Sequence, residues 1–227
     1  MRTSPLPKAD LHTHTYFSAD ALTSPENYVR ACRKRGIDCV AVTEHNNIAG
    51  ALAVQKVAPF RVIIGEEVRS SEGEIIGLFL HEQVPGGLSP EETVRRIKEQ
   101  GGLVVVPHPF DGVRGHLREA ALQRILPQVD AIEVFNARVT FRGDNERAAR
   151  LAAERGLPAS AGSDAHSAWE VGRTYVEMPE FQGPREFLEA LRRGRVMGRT
   201  SSPLVHLFSR WAAIRRRLGW RPVTTRA

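Results

Sequence analysis

The chain has 227 residues, 41% of them hydrophobic, with 32 basic and 26 acidic side chains. That length buries one good core and makes two compact domains cramped. No window approaches the roughly 18 unbroken apolar residues of a membrane span, and the opening MRTSPLPKAD lacks the apolar centre of a signal peptide, so a cytoplasmic location is expected.

The two cysteines, Cys32 and Cys39, read as small buried residues, not as a disulfide framework or a zinc–thiolate centre. The formal charge of +6 sits at one end. Six arginines (Arg210, Arg215, Arg216, Arg217, Arg221 and Arg226) and no acid follow Ser209, which leaves residues 1–209 formally neutral. The expectation is one domain over 1–209 and a basic tail over 210–227, solvated and frayed, which offers the only contact surface for RNA or an anionic surface.

In chain order, DLHTHTYFSAD (Asp10 to Asp20) opens on a strand whose period of two points His12 and His14 to one side. Ser24-Pro25-Glu26 and Ser89-Pro90-Glu91-Glu92 write helix starts, each with a hydroxyl cap ahead of proline, and Glu92 offers a capping box. Gly36, Gly101 and Gly156 end three helices, the last over about Asp144 to Arg155. Between them lie short apolar runs: CVAVT, RVIIG, EIIGLFL, LVVVP, AIEVF and PASAG. Continuous runs of this kind suit strands buried on both faces, with a hairpin at SSEGE as the exception to strand–helix alternation.

Polar residues follow these strands: Glu44-His45, Glu66-Glu67, His81, His108, Asn136, then Asp164 and His166. Groups at the carboxyl ends of successive strands converge on one mouth in a closed barrel, so an α/β barrel of about seven strands is expected over a doubly wound sheet. Six of the eight histidines occupy such ends. One histidine at a strand end reads as structural; six point to metal ligation without thiolate, by imidazole and carboxylate.

His12-Thr13-His14 with Asp20, TEHN (Thr43 to Asn46), GEEV (Gly65 to Val68), PHP (Pro107 to Pro109) and GSDAH (Gly162 to His166), in this order, resemble the PHP (polymerase and histidinol phosphatase) superfamily from about Asp10 to Pro179. The resemblance implies a distorted (β/α)7 barrel and a metal-dependent phosphoesterase holding two to three divalent ions of zinc, manganese or iron. It implies His12, His14, Glu67 and Asp164 at a first ion, with Glu67 bridging to a second completed by His108 and His81, the latter competing with Glu82. Asp20, His45 and His166 form the set for a third. Glu44 stands where the family often has aspartate and is expected to orient His45 from behind. Glu66 is expected to face outward or to help from behind.

Asn136 and Arg138 are candidates to grip a phosphate, Arg142 and Asn145 weaker ones, and His116 and His206 read as surface or structural. The expected reaction is hydrolysis of a small phosphate ester, a nucleotide or sugar phosphate, by metal-bound hydroxide, with Asp20 or His166 as proton donor if unliganded and Arg138 assisting. Two rivals are carried: an amidohydrolase acting on C–N bonds, and a nonenzymatic PHP module with an RNA-contacting tail.

Overall fold

The computed structural model describes residues 5–113 and 115–220. Nine strands form one sheet: β1 (Lys8–Thr13), β2 (Cys39–His45), β3 (Arg61–Ser70), β4 (Gly73–Leu78), β5 (Leu103–Val106), β6 (Ala131–Asn136), β7 (Ala159–Gly162), β8 (Thr174–Glu177) and β9 (Arg195–Gly198). The helices are α1 (Pro25–Arg35), α2 (Ala49–Val57), α3 (Pro90–Glu99), α4 (Glu119–Ile125), α5 (Arg142–Glu154), α6 (Gly183–Arg192) and α7 (Leu204–Arg217). The strand order is β7-β6-β5-β4-β3-β2-β1-β8-β9. Thr13 bridges Ala165, and Asp164 N donates to His12 O at 2.7 Å, so the segment after β7 returns to β1 and nearly closes β1–β7 into a barrel. β8 and β9 extend the sheet beyond β1, β8 antiparallel to β1 and β9 antiparallel to β8.

Local chemistry sets the helix ends. Ser24 Oγ accepts from Asn27 N and Ser89 Oγ from Glu92 N, and Gly36 takes the left-handed conformation that ends α1. Glu92 turns its carboxylate to Arg95 and Arg96.

Strand parity then divides the barrel interior. Ala9 and Leu11, Cys39 and Ala41, Ile63, Ile76 and Leu78, Leu103 and Val105, Ala131 and Ala161 fill its lower part with apolar side chains. Alternate residues such as Val40, Val42 and Val68 pack outward beneath the helices. Continuing the inward parity upward along β2, β3 and β6 leads to His45, Glu67 and Glu133. β1 changes parity: its pairing with β2 shifts between Asp10 and Thr13, so the inward set passes from Ala9 and Leu11 to His12 and His14. Irregularities of this kind re-aim side chains next to active sites.

Asp10, the first residue of the opening motif, secures this closure from outside the metal-ligand set. It accepts from Ser163 N (2.8 Å), Ser163 Oγ (2.6 Å) and Gly172 N (2.8 Å), and burial pushes its carboxyl up to about 6 against those donors. A Cβ built on Gly162 would overlap His12 Cβ and approach His12 N to 2.6 Å. Gly162→Ala is therefore expected to cost about 1–3 kcal/mol through overpacking and to weaken metal retention by displacing His12; a thermal melt with metal analysis checks both.

Candidate metal centre

Glu67 occupies the middle of the barrel mouth. Its Oε2 lies 3.5 Å from His12 Nε2, 3.5 Å from His14 Nε2 and 3.0 Å from His45 Nδ1, while Oε1 lies 3.1 Å from His108 Nε2. Asp164 Oδ1 sits 3.7 Å from His12 Nε2 and 3.3 Å from His14 Nε2. Across the mouth, Asp20 Oδ2 lies 3.2 Å from His166 Nε2 and 3.6 Å from His45 Nε2. His45 thus joins two groups, one nitrogen toward Glu67 and the other toward Asp20. His108 and Asp164 hold their side chains here with φ of 27° and 52°, in the sparsely populated region where strained functional residues cluster.

The donor chemistry fits cations. His12 and His14 bring their Nε2 atoms within 3.1 Å of one another between two carboxylates, an arrangement that a shared cation satisfies. The far nitrogens are engaged behind: His12 Nδ1 with Glu133 Oε1 at 3.0 Å, His14 Nδ1 with Ser18 Oγ at 3.3 Å, and His166 Nδ1 with Asp164 O at 2.9 Å. Such outer hydrogen bonds orient metal-binding imidazoles and set their tautomers. Asp20 Oδ1 is buried with no hydrogen-bond donor among the described residues.

The electrostatics agree. Burial opposes a charge on His12, but Glu133, Asp164 and Glu67 outweigh it and hold its pKa well above the usual imidazole range; burial and then Glu67 and Asp20 act in the same opposed senses on His45, again with a net rise. His14 is pushed down to about 3 by burial and by the neighbouring His166 and His45. Burial also opposes the charge on Glu67, yet His12 and His45 hold its carboxyl well below the usual carboxylate range.

Several expected residues stand elsewhere. His81 is exposed, with its backbone N–H on Gln100 Oε1, so its assignment as a ligand is corrected; Glu82 donates its N–H to the same oxygen. The cause is strand direction. β4 runs antiparallel to both neighbours, so its carboxyl end faces away from the mouth and its beginning faces into it. Glu74, near that beginning, is the residue that arrives, with Oε2 3.9 Å from His108 Nε2, and it groups with His45 and Glu67 as a possible cation site. Burial and then Glu67 raise the pKa of Glu74, while Arg69 pairs with it at 3.1 Å.

Asn136 is also corrected as a substrate-binding residue. Its buried amide donates to Glu133 Oε2 and Asp164 Oδ2, both at 3.1 Å, and its Oδ1 accepts from Arg138 N, so it braces two carboxylates. Asn145 in turn brackets the Asn136 backbone, and Arg142 is exposed and paired with Glu146. Glu44 takes Thr15 N, Thr15 Oγ1 and Ser18 Oγ; burial pushes its carboxyl up to about 7. It reaches His45 through Ser18, whose Oγ accepts the His45 N–H. Glu66 faces away from the mouth, accepting from Val84 N.

A cavity of about 470 Å³ opens over these groups, lined on its other sides by Arg69, Arg138, His206, Ser209 and Arg210. Arg138 is buried, held by Val205 O (3.0 Å), Ser209 Oγ (2.7 Å) and the Glu170 carboxylate (3.6 Å). His206, Ser209 and Arg210 come from α7, which runs through the boundary expected at 209/210; Arg221 and Arg226 lie outside the described residues.

A nearly closed α/β barrel with imidazoles and carboxylates gathered at its mouth is the framework of a metal-dependent hydrolase. The chain belongs to the PHP superfamily: the PHP domain model matches residues 10–107, and the model described as PHP-associated matches 142–196. Two proteins of Methanocaldococcus jannaschii are similar. MJ1587 is 43% identical over 143 residues, covering 57% of this chain and 82% of that one, and MJ0417 is 34% identical over 196 residues, covering 82% and 79%.

Among solved structures, a two-domain Bacteroides vulgatus protein described as containing a predicted PHP-like metal-dependent phosphoesterase superposes with TM-score 0.68 at 21% identity, over 88% of this chain and 68% of that one. An amidohydrolase from Chromobacterium violaceum with bound sulfate gives 0.61 at 18%, over 84% and 97%. The lesion-specific endonuclease Q of Pyrococcus furiosus gives 0.61 at 16%, over 87% and 60%. At these identities the structural likeness is one of fold.

Because His12 and His45 carry raised pKa values, loading with manganese or zinc at neutral pH is expected to release protons, and affinity is expected to fall as pH falls. Calorimetry in buffers of different ionisation enthalpy reads the release. Glu133→Gln is expected to weaken metal affinity about 10–100-fold, whereas His81→Ala is expected to leave it unchanged.

Proposed function

We propose that this protein hydrolyses a small phosphate ester, a nucleotide or sugar phosphate, with two or three divalent cations. The observation that carries the reading is Glu67, whose two oxygens face two different sets of imidazoles at the floor of a cavity walled by three arginines. When bound, the cations supply Lewis acidity and bring the pKa of water from 15.7 to about 7.

His12, His14, Glu67 and Asp164 form the set for the first ion; Glu67, His108 and Glu74 for the second; Asp20, His45 and His166 for the third. Arg138, fixed in direction by Val205, Ser209 and Glu170, offers its guanidinium to phosphoryl oxygens from the wall opposite these donors, and Arg69 and Arg210 add positive charge at the rim. Asp20 is a poor proton donor: burial opposes its charge, but His166 and then His45 hold its carboxyl far below the usual range. His166, whose Nε2 lies 3.2 Å from Asp20 Oδ2, is the other side chain placed to pass a proton to the leaving group when only two ions are held.

A phosphodiester at a nucleic-acid end is a second reading of the same chemistry, favoured by Arg210, which links the cavity wall to the further arginines of α7. The C–N hydrolase reading has the fold likeness to the Chromobacterium protein and a site whose basic wall suits anions better than neutral amides.

Purified protein loaded with manganese or zinc is expected to cleave nitrophenyl phosphate mono- or diesters, to lose that activity to a chelator and to regain it on metal return. Replacement of both His12 and His14 by Ala is expected to lower turnover at least ~10³-fold, as loss of the group that activates water would, with the fold kept by circular dichroism. Full activity in that variant, or none in wild type with any ion while cyclic amides turn over, would refute the proposal. Rates on mononucleotides against short oligonucleotides separate the two phosphate readings.

A further inference from the structure

The carboxyl-terminal helix α7 lies outside both segments that match the family models. Its inner face is spoken for: Val205, Ser209 and Ala212 are buried, and Arg138 donates to the first two. Its outer face is not. Leu204, Leu207, Trp211, Ile214 and Leu218 recur at alternating steps of three and four, so they form one row along the helix, and they are 45–81% exposed. Five large apolar side chains in one exposed row mark an interaction surface.

Arginines border that row on both sides, Arg210 and Arg217 along one edge and Arg215 along the other by helical spacing, and Leu204–Arg217 contains no acid. The charge decides between occupants. A second copy of the helix would set arginine rows against arginine rows in either orientation. A nucleic-acid strand would satisfy the arginines and use Trp211, but it offers the four aliphatic residues nothing comparable to an apolar phase. An anionic lipid surface suits both features at once: the apolar row enters the boundary between headgroups and acyl chains, and the arginines lay their stems along it while their guanidinium groups reach phosphates.

We propose that α7 is an interfacial helix that seats the protein on an anionic lipid surface. No helix among the described residues is long and apolar enough to cross a membrane, so the contact lies in the surface plane. Arg210 belongs both to the border of the row and to the cavity wall, and the seated protein therefore opens its cavity beside the lipid headgroups. The contact stands apart from the hydrolytic reading and is tested without turnover.

The metal-loaded full chain is sedimented with vesicles of phosphatidylcholine alone and of phosphatidylcholine mixed with phosphatidylglycerol. The expected result is binding to the mixed vesicles only, weakened by salt, with a tryptophan emission shift that Trp211→Phe removes. Replacing Arg215 and Arg217 by Ala is expected to weaken partitioning about fivefold per arginine. A Leu207→Glu, Ile214→Glu double variant is expected to lose at least about tenfold, with metal content and circular dichroism unchanged. Absence of binding to the anionic vesicles overturns the proposal, and so does binding that the double variant retains, which would leave charge alone as its basis. Concentration-dependent dimerisation abolished by the double variant, or capture of a soluble acidic amphipathic helix peptide with no binding to vesicles, assigns the face to another occupant and also overturns it.

Discussion

A carboxylate 1% exposed, with four imidazoles around it, is the constraint on which the rest of this structure depends. Withdrawing the Glu67 charge from water is unfavourable unless opposite charge and hydrogen bonds replace the lost hydration. The raised pKa values of His12 and His45 favour protons there that supply such charge, and divalent cations held in their place would supply more of it. The hydrogen bonds behind the imidazoles, to Glu133, Ser18 and the Asp164 carbonyl, keep nitrogen lone pairs aimed inward for this exchange. Stability of the mouth and capacity for cations are thus two consequences of the same buried charge balance.

The barrel delivers these groups by parity. Inward positions are apolar low in the barrel and ionisable near its mouth, so one alternation of side chains builds both the core and the site. Two departures from regularity complete it. The shift in β1 pairing turns both histidines of the opening motif inward, and the positive φ at His108 and Asp164 places ligands where extended backbone would carry them past the mouth. Asp10 and Gly162 then hold β1 against the closing segment, so the position of His12 depends on residues that never touch its reactive nitrogen.

Much of this was legible in the sequence because parallel strands put their carboxyl ends on the same side. His12, His14, His45, Glu67, His108, Asp164 and His166 stand where that rule expects them. The rule misplaced His81 because the hairpin at SSEGE reverses β4, and following that reversal through would have led to Glu74. Glu133 lay in the middle of the apolar run AIEVF, where its inward parity with Ala131 was the available signal. Asn136 follows a strand as expected, yet its amide is committed to carboxylates, a detail that depends on where Asp164 lands in three dimensions. The carboxyl terminus was read by charge alone; the three-and-four spacing from Leu204 to Leu218 shows a helix that charge does not reveal, and its return over the cavity with Arg138 beneath it is a tertiary fact.

The central claim is that Glu67 joins two cations. Electron paramagnetic resonance of the manganese-loaded protein addresses it directly, alongside metal counting on the same sample. The account predicts an exchange-coupled manganese pair, the ions about 3.5–4 Å apart as in other bridged two-metal sites, and its replacement by isolated-ion signals in Glu67→Gln. A fully loaded wild type showing only isolated manganese, or a coupled pair that survives Glu67→Gln, would contradict it.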